Sequence, residues 1–230
     1  MNRKKIIIII CGVLILSIII VLITVKRKNS LFVLDKIYNV YPEEVRNLYQ
    51  NMVDVDCNGD LFFDIDMDKD YNIDNIDNKY LLTYMFSYLD KNKLLDNIDI
   101  NILKDTSNKL FHSNKDIISD INNFSYGNYT YKIDNNNNIT RDKYECVKNN
   151  NYVSYLYSYM YDYNNLYVDV SIGYEKDGKL YNFDNEELGS YDGDKSKLTG
   201  LMNNASYYRL YYVKKNGVFK LDRIKWMDVV

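Results

Sequence analysis

The side chains that most often carry catalysis are thinly spread in this chain. His112 is its only histidine and ends a predicted helical stretch, where an imidazole is more often a surface group than a base. There is no Gly-x-Ser-x-Gly elbow (Gly189-Ser190-Tyr191 does not match one), no phosphate loop, no dinucleotide fingerprint and no zinc-ligand spacing. Acidic pairs of the kind that hydrolyse glycosides occur, but they are too plentiful to select any two. The balance points away from an enzyme, and no catalytic residue is assigned.

Binding chemistry has better candidates. Tyr155, Tyr157, Tyr159, Tyr161 and Tyr163 occupy every second position, so a strand over 152–163 would place all five on one face. Exposed, such a row stacks on sugar rings or anchors a protein contact, because tyrosine joins apolar area to a polar tip. Buried, it fills the core while Ser154, Leu156, Ser158 and Met160 look outward. Both uses stay open at this point.

Asp54-Val55-Asp56-Cys57-Asn58-Gly59-Asp60 resembles the first half of a calcium-binding EF-hand loop. Asp54, Asp56 and Asn58 match the first three ligand places, Gly59 the sharp turn, and Asp60 adds a carboxylate. The twelfth place, which should be Glu, is Ile65. A strand pattern (Leu61, Phe63, Ile65) follows where a helix should. Asp64, Asp66, Asp68 and Asp70 continue the acidic run, with Lys69 where a second loop would need glycine. We expect a solvated polar loop and no bound cofactor, with calcium as the alternative.

Composition weighs on every such pattern. Asn and Asp together supply 57 of 230 residues and Tyr 25, an enrichment that an AT-rich genome produces without selection on function. The four Asn-x-Ser/Thr triplets, beginning at Asn123, Asn128, Asn138 and Asn204, carry little information in that background.

From Ile6 to Val25 no residue is charged, and the helical rise makes this run roughly 30 Å long, the thickness of a bilayer's hydrocarbon core. Arg3, Lys4 and Lys5 flank it on one side and Lys26, Arg27 and Lys28 on the other. It is too long for a cleaved signal and has no small-residue cleavage site, and Cys11 lacks the preceding small residue of a lipoprotein. The reading is an uncleaved membrane anchor over 1–29, followed by a soluble domain over 30–230. Nearly balanced flanks leave orientation to chain order, which favours a C-terminal domain outside the cytoplasm; a cytoplasmic domain is the alternative. Six of the 29 Lys and Arg flank the anchor, so the remainder sets 23 cations against 32 acidic residues, a net of −9. That field argues against nucleic acid or an anionic membrane surface as a partner, since it would repel both, and is compatible with a basic partner.

The domain reads helices first, strands second. Pro42, Glu43 and Glu44 suit a helix start and Val45, Leu48, Tyr49 and Met52 share a face, predicting a helix over 42–53. The strongest helix covers 78–91, where Leu81, Leu82, Met85, Phe86 and Leu89 form a wide stripe. Weaker helices are expected over 100–111 and 114–122, the second capped by Ser113 with Asp116 in the capping-box place.

From Tyr129 the texture is β, with turns at Asn164-Asn165, Asp177-Gly178 and Asn216-Gly217 and a longer one at Asn135–Asn138. Phe219 and Leu221 share a face with which Ile224 and Trp226 are out of step, so a bulge is expected at Asp222-Arg223. The fold class is therefore α+β. One transmembrane helix precedes several helices (35–125) packed on an antiparallel meander of about six strands (127–230).

Tyr207-Tyr208-Arg209-Leu210-Tyr211-Tyr212 through Gly217 to Phe219-Lys220-Leu221, with the Cys57-Asn58-Gly59 turn, resembles small membrane-anchored extracytoplasmic proteins of low-GC Gram-positive bacteria. Their sheet half looks like cystatin-like or NTF2-like folds. The resemblance covers about half the chain and implies a sheet able to serve as a binding cup, an assembly module or an enzyme. It departs in its extra helices before the sheet.

The function expected is a membrane-anchored extracytoplasmic binding or interaction module. Its partner would be another envelope protein or a wall glycan. The alternatives are a calcium-stabilised surface domain and a wall hydrolase. In an exported domain the even pair Cys57 and Cys146 reads as a disulfide closing a loop of 89 residue steps, with two buried or unpaired thiols as the alternative. Such a link is worth about 4–5 kcal/mol by loop entropy. A chain shortened to begin at Ser30 is expected to stay monodisperse in detergent-free buffer. Aggregation there would contradict an independent domain.

Overall fold

The computed structural model describes residues 30–34, 42–53, 70–145, 152–182, 185–203, 205 and 207–227. The apolar run Ile6–Val25, the loop residues Asp54, Asp56, Asn58 and Asp60, the 61–65 strand pattern, and both Cys57 and Cys146 lie outside them. Among the described residues no helix is long and apolar enough to cross a membrane.

Three helices form where periodicity and caps agree. Helix α1 (Glu43–Val53) opens with its Arg46 amide donating to the Pro42 carbonyl. Helix α2 (Asn78–Lys91) is capped by Asp77, which accepts from the Lys79 amide, and α3 (Ile100–Leu110) by Asp99, which accepts from the amides of Asn101 and Ile102. The helix expected over 114–122 does not form. Asp116 accepts from the amides of Ile118 and Ser119, and this stretch makes a single 3-10 turn at Ile118–Asp120. A short side chain bonding its own local backbone competes with helix continuation.

The strands divide between two antiparallel sheets. β1 (Ser30–Leu34) and β2 (Asp70–Asn72) come from the helical half of the chain. β3 (Phe124–Tyr126), β4 (Tyr129–Ile133) and β5 (Ile139–Lys143) form a separate three-stranded sheet. β6 (Tyr152–Asp162), β7 (Asn165–Lys176), β8 (Lys179–Tyr181) and β9 (Glu187–Ser190) belong to the main sheet. A fourth, one-turn helix α4 (Leu198–Leu201) precedes β10 (Tyr207–Lys215) and β11 (Val218–Met227). The main sheet runs β1-β6-β7-β10-β11-β2, with β8 and β9 added beside β7. The six-strand meander of the sequence reading is thus corrected. Its first strands leave for the second sheet, and the edges of the main one are filled by segments from before and among the helices.

Helix α2 holds the two sheets together. Phe86, fully buried, packs its ring against Tyr131 at 4.7 Å and Phe124 at 5.0 Å in the small sheet. Tyr84 on the same helix meets Phe111 at 5.7 Å, and its hydroxyl lies 3.2 Å from that of Tyr212 in β10. The main sheet answers with Leu166, Val168, Val170 and Ile172 of β7 and Tyr208, Leu210 and Tyr212 of β10, all nearly inaccessible. A bulge between Tyr211 and Tyr212 leaves Asp222 unpaired in β11, so Phe219, Leu221 and Ile224 all reach this core, as the alternation of the sequence requires.

Several tyrosine hydroxyls sit in this core. Burial, reinforced by the neighbouring Glu44 carboxylate, pushes the Tyr161 hydroxyl from 10.0 to about 12, and burial raises that of Tyr212 well above its ordinary value. A group that holds its proton more tightly when folded gives stability that is complete below its unfolded pKa and lost as pH rises towards the folded one. Denaturant midpoints should therefore fall as pH climbs from 10 towards 12, less steeply for Tyr161→Phe. A flat midpoint across that window would contradict the burial.

Candidate functional site

Alternation along β7 decides what the sheet presents on the side away from α2. With Leu166, Val168, Val170 and Ile172 facing the helices, Tyr167, Asp169 and Ser171 face the other way. In β10 the same rule turns Tyr207, Arg209 and Tyr211 outward, opposite Ser171, Asp169 and Tyr167 respectively. The open face is thus tyrosine, arginine and one buried carboxylate.

That carboxylate is fully engaged. Asp169 is 2% exposed, and Arg209 grips it from β10 with two donors, Nε at 2.7 Å and an Nη at 2.9 Å. From β6 the Ser158 hydroxyl donates to the same group at 2.6 Å. A buried charge is tolerated when it is paired and its lone pairs are filled, and the fork of arginine fills two at once. The interaction raises the Arg209 pKa, so the cation is permanent. The Ser158 hydroxyl and both Arg209 donors thus converge on one carboxylate. The arrangement fixes the orientation of all three side chains across β6, β7 and β10.

Aromatic groups complete the surface. Tyr157 stacks on Tyr207 with centroids 5.3 Å apart and planes 19° from parallel, and the Arg209 guanidinium lies 5.8 Å from the Tyr207 centroid. Tyr167 meets Tyr211 edge-on at 5.2 Å, and the Arg223 guanidinium sits 4.1 Å above the Tyr211 ring. Arg223 reaches Asp70 at 3.5 Å, while its Nε and the Ser171 hydroxyl are buried with no hydrogen-bond partner among the described residues. Burial first, then the Asp169 carboxylate, raises the Tyr207 hydroxyl; burial and Asp162 raise that of Tyr167.

One end of this face is covered. Tyr155, Leu180, Tyr191, Leu198, Met202 and Ala205 form a second small core over it, reached by α4. Gly189 stands at φ 141°, a backbone conformation that side chains rarely adopt, and an added Cβ would also meet the Leu201 side chain of α4 at 2.7 Å. The remainder, from Tyr157 to Arg223, is half-buried and uncovered by any described element.

The five tyrosines of the alternating row are therefore not on one face, which corrects that expectation. A bulge between Leu156 and Ser158 leaves Tyr157 unpaired and shifts the alternation. Before it, Tyr155 joins the second core; after it, Tyr159 is in the main core and Tyr161 packs against that core. Only Tyr157 joins the open face, and Tyr163 lies in the β6–β7 turn, 77% exposed. His112 is exposed at the start of the segment after α3, its Nδ1 2.7 Å from the Asp222 carboxylate. Asp169, Arg209 and Arg223 are not candidate site residues of the sequence analysis. A lone charge in an apolar strand, Asp169 between Val168 and Val170, was the available signal.

On the helix side a cleft of about 390 Å³ opens between α1, the end of α3 and β11, bordered by Glu43, Glu44, Tyr88, Lys109 and Phe219. Among the described residues no three His, Cys, Asp or Glu side chains converge as metal ligands.

Replacing Asp169 by Ala strands the Arg209 cation, and removal of one partner from a buried pair typically costs about 3–5 kcal/mol. A double-mutant cycle of Asp169→Ala and Arg209→Ala in denaturant should return a coupling above about 1.5 kcal/mol. Additive losses would show that the pair is not the centre of this face.

Comparison with protein-family models, with curated proteins and with solved structures finds no match to this chain.

Proposed function

We propose that this protein is a membrane-anchored interaction module of the cell envelope, held by Ile6–Val25, whose sheet face of tyrosine and arginine docks a second envelope protein. The anchor rests on the length and apolarity of that run. Placement outside the cytoplasm rests on chain order and on the even pair Cys57 and Cys146.

The observation that carries the docking role is the row from Tyr157 to Arg223: rigid tyrosines and two arginines on one side of a sheet whose other side is the core. Tyrosine and arginine are the residues that dominate protein interfaces, and here their rotamers are already held by one another. A glycan fits this face less well than a protein. Stacking on a sugar needs a bare ring face, and Tyr157 and Tyr207 cover each other while Arg223 covers Tyr211. What is left to a ligand is ring edges, hydroxyls and guanidinium edges, which suit carboxylates and carbonyls on a protein partner.

The test is a photoreactive phenylalanine at position 211 in the full chain in native membranes. The reading expects a discrete adduct there, its loss on Arg223→Glu, and none from a label at Lys143 on the small sheet. Equal labelling at the two positions would contradict the docking face. Co-sedimentation with isolated wall glycan, lost on Tyr157→Ala, would replace the protein partner by a glycan.

A further inference from the structure

We infer that the end of the main sheet bearing the Tyr163-Asn164 and Asn216-Gly217 turns lies against the phospholipid headgroups of the membrane that holds the anchor. The inference rests on the anchor proposed above. It needs nothing from the docking face and holds for either orientation across the bilayer.

Chain length and register carry it. Five residue steps separate Val25 from Ser30, so the first residue of β1 stands no more than about 18 Å from the end of the apolar run. β1 pairs antiparallel with β6, Ser30 opposite Asp162 and Leu34 opposite Ser158. The strand therefore leaves the membrane from Ser30, and β6 returns to end beside that point. The next residue is Tyr163. Paired strands place it within about 10 Å of Ser30. Val213 of β10 pairs with Asn165, and the Lys214 amide donates to the Asn164 carbonyl at 2.6 Å, so the β10–β11 turn lies at the same end.

The residues there suit a headgroup layer. Tyr163 is 77% and Val218 40% exposed, among the most exposed large apolar side chains described. Tyrosine is enriched where hydrocarbon meets water, because its ring and hydroxyl prefer different sides of that boundary. Lys214 and Lys215 are exposed beside them, and Lys26, Arg27 and Lys28 follow the apolar run in the sequence, so the tether adds cations to a domain whose net charge is −9. Lysine stems reach along apolar surface while the ammonium meets phosphate. The turn at the other end of β7, Asp177-Gly178, begins twelve residue steps from Asn165, roughly 40 Å along the strand.

Trp226, the only tryptophan, pairs with Tyr208 towards the far end of β10 and serves as an internal reference. The full chain is placed in phosphatidylcholine–phosphatidylglycerol nanodiscs carrying lipids spin-labelled at the headgroup. Added tryptophan in Tyr163→Trp should be quenched at least about threefold more than Trp226, because quenching follows depth in a layer only a few ångströms thick. Asp177→Trp should be quenched no more than Trp226. Equal quenching at 163 and 226 in disc-bound protein overturns this inference and leaves the anchor standing. Release of the wild-type chain from native membranes by alkaline carbonate overturns the anchor, and the inference with it.

Discussion

Leu166, Val168, Val170 and Ile172 bury the centre of the main sheet in the core it shares with the helices, and that burial dictates the rest. Side chains alternate along a strand, so four apolar residues on one side oblige Tyr167, Asp169 and Ser171 to the other. A carboxylate in the middle of a sheet cannot stay there alone. The neighbouring strands supply Arg209 and Ser158 at the paired positions, and the aromatic residues around them hold Arg209 in place. Core packing and the character of the open face are two consequences of one pattern.

Two bulges adjust that pattern. In β11 the extra residue Asp222 returns Ile224 to the core after Leu221; in β6 the extra residue Tyr157 moves Tyr159 and Tyr161 to the core and leaves Tyr155 on the opposite side. The bulge in β11 also sets the Asp222 carboxylate beside His112. A one-residue insertion costs a ladder pair but reassigns every later side chain, which is how one tyrosine-rich strand serves two cores and a surface.

These devices were unequally legible. Helix α2 could be read from its wide apolar stripe alone, and the bulge at Asp222 because Phe219 and Leu221 are visibly out of step with Ile224. The bulge at Tyr157 left no such trace, since tyrosine is accepted both in a core and on a surface, and alternating tyrosines look the same in either register. The helix expected near 114–122 was lost to local bonds of Asp116, which a capping pattern does not distinguish from a true cap. The edges β1 and β2 were missed because short strands borrow their order from a partner far along the chain, Asp162 for Ser30 and Arg223 for Asn72. The Asp169–Arg209 pair was readable as one charge in each of two apolar strands, but pairing those strands required the topology.

Everything proposed for the open face depends on the division of the tyrosines by the β6 bulge. Nitration of the folded protein with tetranitromethane, mapped by mass spectrometry, measures that division directly. The account predicts fast modification at Tyr163, slower modification at Tyr157, and protection of Tyr159, which is 3% exposed, until the protein unfolds. Tyr159 reacting as readily as Tyr157 would place both on one side of the sheet and contradict it.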